Sequence, residues 1–248
     1  MKNYLWILTI LLFACQPTKE EKAPEKKWLG QMLDLSKIQP AINTYHMLDT
    51  SGTKVGSMIF GTYFEKGKLV ARDTSSFDNG SVYEEAEFSM DTTTYQSKQE
   101  LVRMQINTTR LDVDIVANNK QVNGMYTVTR DTTATDYPVD SLYSYDVFRT
   151  ELYMLMQALD YKKDDTIKFK SLVSTSMTVS DASLYYVNEE QITTAAGTFD
   201  CNVIHLMTDG KMPQNRIWIT KSKPSKIVKF YVPGADLSIE LVASRSSN

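Results

Sequence analysis

The feature that most constrains this chain is the rhythm of its turns. Ser51-Gly52, Lys66-Gly67-Lys68, Asp78-Asn79-Gly80 and Asn118-Asn119-Lys120 follow one another at hairpin-like spacing. The segments between them have period-2 character, clearest in Leu111-Asp112-Val113-Asp114-Ile115, apolar on one face and acidic on the other. Such alternation predicts antiparallel strands with one buried and one wet face. Further strands are expected near 166–179, 183–193, 198–207, 216–220, 226–232 and 236–243.

One stretch departs from this rhythm. After Tyr137-Pro138-Val139-Asp140, residues 141–160 carry Leu142, Tyr145, Phe148, Leu152, Leu155 and Leu159 at spacings of 3, 3, 4, 3 and 4. That is a single helical stripe, with Asp140 placed to cap it. Met154 and Met156 widen the stripe, which suggests burial on more than one side. Strands, one long helix and strands again predict an α+β, β-rich fold. The helix is the one large apolar object able to cover the dry face of a curved sheet.

The N-terminus carries an address. Met1-Lys2-Asn3-Tyr4 precedes an apolar run from Leu5 to Ala14, too short for the roughly 20 residues of a membrane span and typical of a signal segment. Leu12-Phe13-Ala14-Cys15 resembles the lipobox of bacterial lipoproteins. The resemblance implies cleavage before Cys15, lipidation of Cys15 with palmitate-type chains, and membrane attachment through them. Residues 1–14 are then the signal peptide, 15–27 the lipidated cysteine with a charged tether, and 28–248 one domain. Trp28 to Leu35 reads as a short helix or docking segment. Gln16 follows the cysteine, and Lys19-Glu20-Glu21 is similar to the acidic export signal of Bacteroidetes surface lipoproteins. Both imply the outer membrane and leave the leaflet open. A net charge of -3 without a basic stripe excludes nucleic acid as an expected partner.

Three stretches resemble one family. They are Leu155 to Ile167, a helix end leading to a strand; Gln191 to Cys201, like a strand–"PAGTF"–strand hairpin with Ala195 for the usual proline; and Ile217-Trp218-Ile219-Thr220 followed by Pro224 and Ile227-Val228-Lys229-Phe230. The family consists of envelope proteins of unknown function with a LolA/LolB-like half-barrel. The resemblance implies a curved antiparallel sheet wrapped around one long central helix. It also implies an apolar cavity between them, to which Phe148, Leu152, Leu155, Met156 and Trp218 are the candidate lining. It implies no activity.

The residues themselves offer little chemistry. There is no nucleophile elbow, phosphate loop or zinc helix. With His46 and His205 as the only histidines, no metal site or cofactor is expected. Glu84 and Glu85 are adjacent on a strand and point to opposite faces, and Asp112 and Asp114 share the wet face. Cys201, flanked by Phe199 and Val203, reads as a buried thiol. Tyr45, Tyr63, Tyr83, Tyr126, Tyr185, Tyr186 and Trp218 either line a groove or fill a curved sheet. The expected function is a non-catalytic carrier for a lipid-like ligand. The alternatives are a structural lipoprotein docking another envelope component and, more remotely, a glycan-acting enzyme.

Overall fold

The computed structural model describes residues 32–163 and 165–247. The signal peptide, Cys15, the tether and residues 28–31 lie outside the described residues. Fifteen strands form one sheet: β1 (Ala41–Leu48), β2 (Lys54–Glu65), β3 (Lys68–Phe77), β4 (Val82–Asp91), β5 (Ser97–Ile106), β6 (Thr109–Asn118), β7 (Gln121–Arg130), β8 (Thr133–Leu142), β9 (Val147–Phe148), β10 (Thr166–Val173), β11 (Thr178–Thr194), β12 (Gly197–Thr208), β13 (Asn215–Thr220), β14 (Ile227–Val232) and β15 (Leu237–Ser246). One helix, α1 (Arg149–Gln157), follows β9. The spatial order is β8 through β1, then β15 down to β9. Every pairing is antiparallel except β9 with β10.

The turns named from sequence fall at the hairpin bends. Lys66 and Gly67 both have positive φ, 48° and 77°, as a two-residue turn matched to the twist of the strands requires. Gly124 on β7 has φ 151°, and a Cβ there would lie 2.0 Å from the Asp114 carbonyl oxygen of β6. That contact leaves glycine as the residue that fits.

The connectivity requires the sheet to curl. Laid flat, fifteen strands would hold the terminal pair, β8 and β9, roughly 67 Å apart. Residues 143–146 join them directly, and so short a link reaches under about 20 Å. The two ends therefore meet, and the sheet is barrel-like. Side chains tie the join: the Tyr126 hydroxyl of β7 donates to the Thr175 carbonyl beyond β10, 2.9 Å away. Phe148 packs in a cluster with Val102, Val113, Val122, Val139 and Leu172.

The expected α+β fold with one long central helix is overturned. The molecule is nearly all β, and its helix has nine residues, Arg149–Gln157. The chain over 141–148 is not helical: β8 runs through Leu142, with Asp140 opposite Asn123 and Leu142 opposite Gln121. Leu142 is 77% exposed. Asp140 accepts a hydrogen bond from the Gln121 amide at 2.5 Å instead of capping a helix, and Phe148 holds the N-cap position without a side-chain bond. Strand pairing overrides the helical spacing because it satisfies a whole ladder of backbone groups.

What remains of the helix sits inside the barrel, with Glu151, Leu152, Met154, Leu155, Met156 and Gln157 all buried. A 3-10 turn at Leu35–Lys37 closes its C-terminal end. The Asp34 amide donates to the Ala158 carbonyl at 2.9 Å, and the Lys37 ammonium reaches the Leu159 carbonyl at 2.8 Å.

Candidate functional site

One mouth of the barrel is an apolar cleft of 230 Å³. Strand register builds its wall in rungs. Phe60 of β2 stands opposite Asp73 of β3, Met58 opposite Ser75, and Gly56 opposite Phe77. On the next strand Ser75 stands opposite Glu84. The far wall brings Met47 opposite Ile239 and Ile239 opposite Phe230. Met47, Met58, Phe77, Val82, Val232, Leu237 and Ile239 supply the apolar lining, and Arg149, Thr150 and Tyr153 enter from α1.

The polar groups converge. Arg149 Nη2 donates to Glu84 Oε1 at 2.7 Å in a largely buried ion pair. The Asn215 amide donates to the Tyr153 hydroxyl at 2.7 Å. Asp73 has a weaker set of partners: the Ser75 hydroxyl donates to its Oδ1 at 3.0 Å. Burial, and after it the Glu84 carboxylate, push Asp73 up to about 7.

Behind the cleft, α1 is pinned to β5 by two further carboxylates. Glu151 lies 2.8 and 2.7 Å from the Ser97 hydroxyl, and Glu100 bonds the Thr150 hydroxyl. Burial raises Glu151 to about 8 and Glu100 to about 7.

The candidate lining residues sit elsewhere. Phe148, Leu152, Leu155 and Met156 are packed in the interior, all at 2% exposure or less. None of the four lines this cleft, which takes Arg149, Thr150 and Tyr153 from the helix instead. Trp218 lies on the opposite sheet face from its neighbour Ile217, which pairs with the cleft residue Phe230. Its indole donates to Glu190 Oε2 at 2.7 Å, and Arg216 and Lys229 stand over its ring.

The tyrosines do not assemble one groove: Tyr45 is core, Tyr83 is exposed, and Tyr185 packs on His205. Cys201 is buried, and burial first, then Asp200 and Glu190, push its thiol up to about 12. It borders a larger groove of 580 Å³ on β11–β13. In that groove Lys221 pairs with Glu189 at 2.5 Å, while Glu190 bonds Arg216 and Trp218 beside it.

Sequence reasoning missed Asp73, Arg149 and Tyr153 and dismissed Glu84. The usable signal was a carboxylate on the buried phase of a strand. Glu84 alternates with Ala86 and Phe88, and Glu100 with Val102, all buried apart from the partly buried Glu84.

No curated protein matches the sequence. Among solved structures, the beta-barrel-like protein of domain of unknown function DUF1849 from Brucella abortus is similar in fold. It has a TM-score of 0.52 at 10% identity over 85% of this chain and 100% of that one. An exported-protein structure from Bacteroides fragilis, described as "putative" and of YmcC-like fold, matches with a TM-score of 0.33, 11% identity and coverage of 84% and 97%. A "putative lipoprotein" from Parabacteroides distasonis gives 0.32, 12%, and 84% and 96%. A family model matches residues 50–242, most of the barrel, and the chain therefore belongs to the family described as protein of unknown function, DUF3108.

Proposed function

We propose that this is an exported envelope lipoprotein, anchored through Cys15 at the outer membrane, whose barrel mouth binds a small amphiphile without chemical turnover. One observation supports the binding reading: an apolar cleft of 230 Å³ narrows onto a few convergent polar groups, Asp73, Glu84, Arg149 and Tyr153. Sites of that composition are where small molecules bind. The volume is below the usual several hundred Å³, so the ligand, or the part of it that enters, is short.

Binding is tested with N-phenyl-1-naphthylamine, a dye whose emission rises in apolar surroundings. Enhancement by the wild-type protein and its loss in Met58→Trp, which fills the cleft, is the expected result. Equal enhancement by a folded Met58→Trp protein sinks the reading. Anchorage is tested by exchanging residues 1–14 for an ordinary cleavable secretion signal together with Cys15→Ser, which should move the protein from the membrane pellet to the soluble fraction.

A second reading, a glycan-acting hydrolase, draws on the same pair of acids. Arg149 holds Glu84 in an ion pair while Asp73 keeps its proton up to about 7, a division of roles seen in acid–nucleophile pairs. The apolar lining argues for the carrier. Reducing ends released from envelope glycans by wild type and not by Asp73→Asn would reverse that preference.

A further inference from the structure

We infer that the occupant of the cleft carries a protonated amine, or another organic cation, held by Asp73, with its apolar body against Met47, Met58, Phe77 and Phe230. The inference rests on the binding reading above and narrows it to one ligand class.

The argument is one of charge against geometry. Two carboxyl groups and one guanidinium converge at the cleft: Asp73 and Glu84 are the acids, and Arg149 is the base. The guanidinium is committed to Glu84 at 2.7 Å. Its Nε is sealed inside the protein without a partner, out of reach of anything entering from the mouth. Asp73 is left with a single side-chain hydrogen bond, from Ser75. A carboxylate in so apolar a cleft is poorly solvated, and a ligand cation would restore what burial removes. A fatty-acid carboxylate would instead meet Asp73 and Glu84 with its own negative charge, and Arg149 is already neutralised.

The charged and titratable groups around Asp73 are Tyr45 of β1, Glu84 of β4, and Arg149 and Tyr153 of α1. Asp73 loses its proton near neutrality, at about 7. An incoming cation would displace that proton, so its binding strengthens as pH rises from 6 to 8. A neutral ligand of the same length has no such dependence.

The test is calorimetric titration of the chain produced without residues 1–14 and carrying Cys15→Ser, which needs no detergent, with octylamine, octan-1-ol and octanoate at pH 8. The expected order has the amine tighter than octanoate by about tenfold or more, with the alcohol between them. Asp73→Asn should reduce the amine to the level of the alcohol. On the unmodified site, amine affinity should rise between pH 6 and pH 8 while that of octan-1-ol stays level, a readout that depends on no substitution at Asp73. Octanoate binding as tightly as octylamine, or an amine affinity flat with pH, overturns the inference while octan-1-ol binding keeps the carrier reading. Failure of all three probes to bind overturns the carrier reading itself, and the cation inference with it.

Discussion

Glu100 and Glu151 are buried carboxylates that accept from hydroxyls, Glu100 from Thr150 and Glu151 from Ser97. Both are buried, and burial raises them to about 7 and about 8 from the usual value near 4.3. The folded protein therefore binds more protons than the unfolded chain across that interval, and stability falls as pH rises through it. Their contribution is fully present below about pH 4.3 and lost by pH 8; Asp73, raised to about 7, adds in the same direction. Urea unfolding should show lower stability at pH 8 than at pH 5, and Glu151→Gln should shrink that difference. An unchanged slope in the variant would mean that Glu151 titrates normally.

α1 is short but sits where a helix has most effect. Leu152 is 0% exposed and Leu142 is 77% exposed, although both lie on the same helical stripe in the sequence. Leu152→Ala should cost about 2–5 kcal/mol by denaturant unfolding, and Leu142→Ala should stay within about 0.5 kcal/mol. Equal costs would contradict the end of β8 at Leu142. The hairpins were legible because their turns need particular backbone angles, supplied by Gly67 and by Asn119 at φ 56°. The alternation of β6 was legible for a similar reason, with Val113 and Ile115 buried and Asp114 exposed between them. The helix was half legible. A period of 3 or 4 cannot distinguish Leu142, Tyr145 and Phe148, which lie on a strand end, a link and a two-residue strand, from Leu152 and Leu155, which pack from a helix. The cleft was not legible, because its acid pair comes from different strands and becomes a pair through register alone.

The barrel is least supported at one place. β8 pairs with β7 alone, and Val139 is its one buried residue. Native-state hydrogen exchange should find β8 the least protected of the long strands, opening well below the global free energy. β14 and β15, paired on both sides, should exchange with the core. Protection of β8 equal to that of β14 would indicate that its free edge is covered in solution.

β1 pairs with β15, Ala41 standing opposite Ser246. A ribosome or a translocon delivers the first of these strands long before the last. β1 to β8 can zip together as successive local hairpins, each closing a short loop. The β1–β15 seam must wait for about two hundred residues to arrive, a search that slows folding. Until then β1 exposes an open edge, and an unfinished edge invites pairing with another chain. The closing of that seam sets how long the folding chain stays vulnerable.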